Sequence, residues 1–305
     1  MIRSASHSSY PVAAEEARDE TTAAIAVAEQ SRAFVDVVTD GQVLWTGPLS
    51  QVAAHLAGVE LGEPAAWPDP RVRDRRPVIS GEVRRTGAIA VPGWRAAAEV
   101  TPKPVKATLP GPVTFARLAD DRHYGDPARA AAAVADALAE EVAALGEAGC
   151  RWFQLEEPLL AERPQDLELT ASLCAKVFAA APAGSTTILS LWFGDAGALW
   201  GRLAELPGTH LGLDVTGATG LEVLSRLPAG KGVVLGLLDA RHEEVEDALA
   251  LEERLTPWRD SLLGRDVLVG PNAGLAALPR DVAFEKLLHA RYLAERLRKT
   301  WTVRV

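Results

Sequence analysis

Cys150-Arg151-Trp152-Phe153-Gln154-Leu155-Glu156-Glu157-Pro158 is a short apolar and aromatic run that ends in two carboxylates and a proline. Gly149 precedes the run and ends an alanine-rich segment of helical character. The stretch therefore predicts a buried strand that follows a helix and carries its acids at the carboxyl end. Active sites gather at this position in parallel α/β folds. Two solvated loop carboxylates are the alternative, because acidic residues are usually exposed.

Apolar strand-like runs alternate with helical segments around this stretch. Strand candidates are residues 105–109, 152–155, 187–191, 211–215, 232–237 and 267–269. A helix over residues 15–31, a strand near 35–38 and a first strand close to the amino end precede them. Asp126-Pro127 and Pro279 mark the beginnings of two further helices. Eight strand-helix units predict an α/β fold with one (β/α)8 TIM barrel over residues 1–305.

Residues 67–103 interrupt the alternation with proline, arginine and glycine. Within them, Val78-Ile79-Ser80-Gly81-Glu82-Val83 predicts an inserted hairpin, and such long excursions are usually functional loops or lids. A basic patch also lies here, which we interpret as a solvated loop. It consists of Arg71, Arg73, Arg75 and Arg76.

Composition is typical of a soluble globular protein, with 48% hydrophobic and 24% charged residues among 305. The net charge of −9 disfavours a nucleic-acid or membrane partner. We expect a cytoplasmic protein, because the sequence has neither a run of roughly 20 apolar residues nor a secretory signal. Cys150 and Cys174 lack metal-ligand spacing and are interpreted as buried thiols.

Polar and aromatic side chains follow most predicted strands, and a closed barrel brings such residues to one mouth. A ring of acids around an aromatic side chain suits an amine-bearing substrate. Asp214 and Asp239 could instead be helix N-caps, and Trp192 could instead be a core residue. The residues are Lys106, Thr108, Glu156, Glu157, Trp192, Asp195, Asp214, Asp239, Arg241 and Asn272.

Five segments stand in order along the chain: Ser8-Ser9-Tyr10-Pro11, Asp36-Val37-Val38-Thr39-Asp40-Gly41-Gln42, Val105-Lys106-Ala107-Thr108-Leu109-Pro110-Gly111-Pro112-Val113-Thr114, Gln154-Leu155-Glu156-Glu157-Pro158 and Pro271-Asn272-Ala273-Gly274-Leu275. Together they resemble the motifs of the cobalamin-independent methionine synthase family. The resemblance covers essentially the whole chain and implies a (β/α)8 barrel. It also implies transfer of a methyl group from a methyltetrahydrofolate to homocysteine.

The resemblance further implies a zinc ion held by His, Cys, Glu and Cys, which lowers the thiol pKa of the substrate. The matching positions here are Leu189-Ser190-Leu191, Asp214 and Ala273. Leucine and alanine cannot bind a metal, so we predict no metal site; a folate-type methyl donor stays open. Leu211-Gly212-Leu213-Asp214 and Gly236-Leu237-Leu238-Asp239-Ala240-Arg241 resemble instead the zinc-free amino-terminal barrel of full-length methionine synthases.

By the same resemblance, Glu156 receives the ammonium group of an amino-acid substrate, and the backbone near Ser9 receives its carboxylate. Three hypotheses remain: a methyl or alkyl transferase without zinc, a non-catalytic subunit that works beside a second barrel protein, and an acid-base enzyme on the same barrel. The candidate catalytic residues are Glu156, Glu157 and Asp214. The candidate substrate-binding residues are Ser9, Lys106, Thr108, Trp192, Asp239 and Asn272.

Overall fold

The computed structural model describes residues 1–12, 18–66, 68, 71–194, 196–217 and 219–301. The first residues of the predicted helix 15–31, and the candidate Asp195, lie outside these ranges. The elements are β1 (Ile2–Ser4), α1 (Glu20–Arg32), β2 (Val38–Thr39), α2 (Pro48–Ala53), β3 (Leu56–Ala66), β4 (Arg73–Arg85), α3 (Val91–Glu99), β5 (Val105–Pro110), α4 (Pro112–Leu118), β6 (Asp120–Asp121), α5 (Pro127–Ala148), β7 (Trp152–Glu156), α6 (Leu159–Glu162), α7 (Leu167–Ala179), β8 (Thr186–Leu191), β9 (His210–Asp214), β10 (Gly232–Leu238), α8 (Ala248–Leu255), α9 (Arg259–Leu262), β11 (Val267–Pro271) and α10 (Arg280–Trp301).

Eight parallel strands form the barrel, in the order β1-β11-β10-β9-β8-β7-β5-β2. The last gap is closed by a parallel bridge between Ala5 and Val37, where the Ser6 backbone N–H donates to the Val37 carbonyl at 2.9 Å. The predicted (β/α)8 barrel is therefore confirmed. Because all eight strands run in one direction, their carboxyl ends meet at a single mouth.

The barrel wall is buried on both faces, as expected where helices cover a parallel sheet. Every residue of β5 and of β10 is buried. Outside the wall, α5 has the predicted ends: the Asp126 side chain accepts from the Ala128 N–H, and Gly149 ends the helix with a φ of 110°. In the part of the chain that the structure describes, no helix has the length and apolar character needed to cross a membrane.

The excursion between β2 and β5 is a hairpin followed by a helix. Strand β3 pairs antiparallel with β4, and β6 adds to β4 on its other side. The hairpin therefore begins at Leu56, not at residue 67 as predicted, and α3 occupies the last part of the predicted loop. Buried Asp74 accepts from the backbone N–H groups of Leu49 at 2.6 Å and Ser50 at 3.0 Å. This contact joins the hairpin to the first turn of α2.

Candidate functional site

A cavity of about 290 Å³ opens at the carboxyl ends of the barrel strands. Its lining comes from the loops after β1 and β2, the β3–β4 hairpin, the end of β7, and the loops after β8 and β11. Its lining residues include Ser8, Ser9, Arg18, Gln42, Arg71, Arg73, Glu156, Trp192, Phe193, Ala273 and Gly274.

Among the described lining residues, Glu156 provides the carboxylate, and it is only 2% exposed. Its Oε1 lies 3.2 Å from His7 Nδ1 and accepts from Gln154 Nε2 at 3.3 Å. Its Oε2 accepts no hydrogen bond from any described residue. A carboxylate with one oxygen fixed and spare lone pairs on the other is a suitable acceptor for an ammonium group.

Glu157 points away from the cavity, because consecutive residues at a strand end face opposite sides. Its carboxylate accepts from the Val113 N–H at 2.9 Å, the Thr114 N–H at 2.8 Å and the Thr114 hydroxyl at 2.7 Å. It thereby caps α4, and burial raises its pKa to about 7. The expected pair of carboxylates at one mouth is corrected: only Glu156 lines the cavity.

A buried polar network lies beneath Glu156. Lys106 Nζ donates to Gln154 Oε1, and Gln154 Nε2 donates to the His7 carbonyl at 3.3 Å. Thr108 Oγ1 donates to the same carbonyl at 3.5 Å. Burial lowers the pKa of Lys106 to about 7, with Glu156 opposing the shift. Lys106 and Thr108 are thus placed as supports of Glu156 and are not among the lining residues.

His7 is a site residue that the sequence reasoning missed. Its Nε2 lies 3.1 Å from Ser190 Oγ, while Nδ1 lies 3.1 Å from Ser8 Oγ and also faces Glu156. Burial lowers the pKa of His7 below its usual value, against the effect of Glu156. The only available signal was its position beside the Ser8-Ser9-Tyr10-Pro11 motif.

Trp192 and Phe193 form an aromatic wall of the cavity. Trp192 contacts His7 and Phe193 edge to face, with ring centroids 6.3 Å and 4.7 Å away. Phe193 has a φ of 55°, and Gln42 in the same lining has a φ of 51°. Left-handed backbone at residues other than glycine is costly and clusters at ligand-binding sites.

Asp214, Asp239 and Asn272 form a separate polar cluster at the ends of β9, β10 and β11. Asn272 Nδ2 donates to Asp214 Oδ2 at 3.1 Å and to Asp239 Oδ1 at 3.4 Å. Asp214 Oδ1 also accepts from the Thr216 hydroxyl at 2.7 Å, and Asp239 pairs with Arg241 at 2.8 Å. These carboxylates brace turns of the barrel rim. None of the three lines the cavity, which corrects the predicted catalytic role of Asp214 and the predicted substrate-binding roles of Asp239 and Asn272.

Arginines of the hairpin and of the segment before α1 lie at the opening of the cavity. Arg71 donates to the carbonyls of Arg241 at 2.7 Å and Ala240 at 2.9 Å, so it spans from the hairpin to the loop after β10. Arg73 and Arg18 line the same opening. Arg71 and Arg73 are both exposed, as the interpretation of the basic patch expected, but they also line the cavity, which that interpretation did not foresee.

The residues present do not fit a thiolate-held zinc ion. Leu189 and Leu191 are buried core side chains, and Ala273 offers no donor atom. The two thiols lie elsewhere: Cys174 Sγ contacts Glu157 Oε1 at 3.8 Å, and Cys150 Sγ contacts a backbone carbonyl at 3.2 Å. Across the described ranges, no three His, Cys, Asp or Glu side chains are grouped so that they could hold a metal ion.

Comparison with known proteins adds an independent finding. The family model described as "Cobalamin-independent synthase, Catalytic domain" matches residues 4–181. A 5-methyltetrahydropteroyltriglutamate–homocysteine methyltransferase of Chelativorans sp. (strain BNC1) is 32% identical over 182 residues, which cover 59% of this chain and 24% of that relative. The chain thus spans about a quarter of that relative's length.

Two other matches extend over most of the chain. A methionine synthase of Methanothermobacter marburgensis is 28% identical over 269 residues, or 86% of this chain and 84% of that protein. The structure of a B12-independent methionine synthase from Shewanella sp. W3-18-1, in complex with selenomethionine, superposes with a TM-score of 0.87 at 20% identity and covers 98% of both chains. The second match establishes likeness of fold.

Proposed function

The chain belongs to the cobalamin-independent methionine synthase family, and from this premise we propose that it is a methyl or alkyl transferase whose barrel mouth binds a small amino acid or thiol without zinc. The observation that carries the proposal is the buried carboxylate of Glu156, fixed through one oxygen and lining a cavity at the strand ends. A buried carboxylate in a preformed cavity favours a cationic group of the ligand.

The rest of the cavity supports an amino-acid ligand. The Ser9 backbone N–H donates to none of the described residues and is proposed to receive the substrate carboxylate. Gly274 makes this close packing feasible, because a Cβ at that position would lie 2.2 Å from Ser9 Oγ. Trp192 and Phe193 would exclude water from the reacting group. His7 would hold the Glu156 carboxylate in the same orientation before and after the ligand binds.

The size of the cavity limits what it can enclose. Its volume of about 290 Å³ lies at the lower end of the roughly 300–1,000 Å³ of small-molecule pockets, which suits a ligand the size of an amino acid. A folate-type methyl donor would therefore approach from the open side and leave most of its length outside.

The test is calorimetric binding of homocysteine, methionine and other amino acids to the wild type and to Glu156→Gln. We expect Glu156→Gln to weaken binding, because it removes the charge that attracts the ammonium group. Asp239→Asn is the matched control: it neutralises a carboxylate of the same barrel mouth that lies outside the cavity, and it should leave binding unchanged. Equal affinity of Glu156→Gln and the wild type would contradict the proposal.

Methyl transfer itself is tested by incubating the protein with a methyltetrahydrofolate and each amino acid that binds, followed by mass spectrometry. The expected product is the amino acid with one added methyl group, and its yield should fall in Glu156→Gln. Tight amino-acid binding without any such product would contradict the transferase part of the proposal while leaving the binding site intact.

A second candidate, a binding subunit that works beside a second barrel protein, is favoured by one observation. The four positions at which the family resemblance implies zinc ligands hold two leucines, an alanine and Asp214. Asp214 alone cannot hold zinc, so the chain lacks the donor set that would activate a thiol. Turnover that is absent with this chain alone, but appears when a zinc-bearing relative is added, would favour this candidate over the first.

A further inference from the structure

We propose that the amino acid bound in the cavity carries a second acidic group, which contacts a donor wall made of Arg18, Gln42, Arg71 and Arg73. This inference rests on the proposed function, since it takes the amine of the ligand to lie at Glu156. The donor wall comes from the loops after β1 and β2 and from the hairpin, and β5 separates β2 from β7 in the barrel. The cavity lining therefore combines a carboxylate from the end of β7 with donors from other parts of the barrel mouth.

Gln42 provides a buried donor without a partner. The side chain is 7% exposed, and its Nε2 has no hydrogen-bond partner within the described part of the chain. Its backbone is held in the left-handed region, with the N–H donating to Asp40 Oδ1 at 3.1 Å. A buried donor that the protein leaves unsatisfied is costly, so an acceptor from a ligand is the expected partner.

The arginines add positive charge to the same wall. Arg18 Nη1 donates to the backbone carbonyls of Val43 at 3.2 Å and Trp45 at 2.5 Å, and these neutral acceptors leave its charge uncompensated. Arg73 lines the cavity, and its guanidinium forms no ion pair or hydrogen bond with a described residue. Among the described lining residues, three are arginines and one is a carboxylate. Two of these arginines, Arg18 and Arg73, have no carboxylate partner among the described residues, in a chain of net charge −9.

Guanidinium groups and an amide N–H donor together match an oxyanion such as a carboxylate, sulfonate or phosphonate. The cavity has room for an amino-acid head and a short acidic side chain, by the volume argument given above. We therefore assign the oxyanion to the amino acid itself and not to the tail of a second substrate. Glutamate, cysteate and O-phosphoserine are probes of this class, and glutamine is the neutral counterpart of glutamate.

The experiment measures binding of these probes by calorimetry to the wild type, Arg73→Ala, Gln42→Asn and Arg75→Ala. Asparagine tolerates the left-handed backbone and withdraws the amide from the cavity. Arg75→Ala is the matched control, because Arg75 lies on the same strand but donates to the Gly62 carbonyl at 2.8 Å, outside the cavity. We expect the wild type and Arg75→Ala to bind glutamate about tenfold or more tightly than glutamine. Arg73→Ala and Gln42→Asn should lose most of this preference.

Equal binding of glutamate and glutamine that still depends on Glu156 would overturn this inference and leave the proposed function standing. Glutarate binding as tightly as glutamate, with no effect of Glu156→Gln, would instead overturn the proposed function, and the assignment to an amino acid with it. If Arg73→Ala weakens a methyltetrahydrofolate but not glutamate, the oxyanion belongs to the second substrate and the inference fails.

Discussion

Glu156→Gln and Glu157→Gln are expected to have opposite consequences, although the two acids are neighbours in the sequence. Glu156 lines the cavity with one oxygen fixed by His7 and Gln154. Glu157 is buried behind the wall and caps α4. The first change should therefore affect ligand binding, and the second should affect the free energy of unfolding.

The affinity change follows from the charge-assisted hydrogen bond between Glu156 and an ammonium group. Such a bond contributes roughly 1.5–3 kcal/mol, so Glu156→Gln should weaken binding about 10- to 150-fold. Glutamine keeps an oxygen that can face His7 Nδ1 and Gln154 Nε2. The free energy of unfolding should therefore change by only about 1 kcal/mol.

The stability change follows from the three donors around Glu157. A glutamine side chain has one acceptor oxygen, and its amide nitrogen would face the other donors of Val113 and Thr114. Losing about two hydrogen bonds to a charged group costs roughly 3–6 kcal/mol. The neutral glutamine also avoids the burial of charge that raises the pKa of Glu157 to about 7, so the net cost should be only about 1–3 kcal/mol. At about 2 °C per kcal/mol for a chain of this length, Tm should fall by about 2–6 °C. The Glu157 side chain packs tightly against Gly111, where an added Cβ would lie 2.3 Å from Glu157 Oε1. A glutamine at position 157 therefore has little room to change its conformation.

Both variants are assayed at about pH 8, above the pKa of about 7 to which burial raises Glu157, so that its carboxylate is ionised. Calorimetric titration gives the affinity for the best amino-acid ligand, and thermal unfolding gives Tm. The reasoning is refuted if Glu157→Gln weakens binding at unchanged Tm. It is equally refuted if Glu156→Gln lowers Tm by about 6 °C or more while affinity stays the same.

Three further predictions concern the wall, the buried lysine and the metal. Trp192 lines the cavity but is only 2% exposed, so Trp192→Ala should both weaken binding and cost roughly 3–5 kcal/mol in the free energy of unfolding, whereas Asp214→Asn should leave affinity unchanged. Calorimetry and thermal unfolding of both variants decide, and intact affinity in Trp192→Ala contradicts the wall assignment. Burial lowers the Lys106 pKa from 10.5 to about 7, so between these values the unfolded chain holds more protons than the folded one. The free energy of unfolding of the wild type, minus that of Lys106→Met, should therefore rise between pH 7 and pH 10.5. Denaturant unfolding measures both values, and a difference that does not change with pH would contradict the lowered pKa of Lys106. Elemental analysis should find well below one zinc per chain and chelators should leave Tm unchanged, whereas one tightly held zinc would mean that the ligand alignment is wrong.

The barrel was predictable because its strands are buried on both faces, which makes them continuous apolar runs. The predicted strand 187–191 corresponds to Thr186–Leu191, and 232–237 corresponds to Gly232–Leu238. The strand predicted near 35–38 is shorter and later, at Val38–Thr39, because residue 37 contributes only an isolated bridge to Ala5. The hairpin was misplaced because its two strands form a partly exposed three-stranded sheet with β6 and are interrupted by charged residues, glycine and proline, so they contain no such apolar run.

The rim of the site was predictable, but the direction of each side chain was not. The end of a strand predicts the position of Glu156 and Glu157. Which of the two side chains faces the cavity and which faces α4 depends on the backbone conformation at the end of β7. The places of Arg71 and Arg73 depend on how the hairpin folds across the mouth, which no local pattern encodes. His7 follows a strand of three residues, so its position at a strand end was not evident from periodicity.

The hydrogen-bond network around His7 links Glu156 to the strand on which the family resemblance implies zinc ligands. Ser190 stands at a position where the family resemblance implies a zinc-binding strand, and its hydroxyl lies 3.1 Å from His7 Nε2. The other ring nitrogen faces Glu156 Oε1 and the Ser8 hydroxyl. Both nitrogens are thus engaged by protein atoms, and neither offers a lone pair to a metal in this arrangement. Ser190, which lies between two of the positions where the resemblance implies zinc ligands, thus orients His7, and His7 in turn orients Glu156. The proposed recognition of an amine by Glu156 therefore requires no zinc.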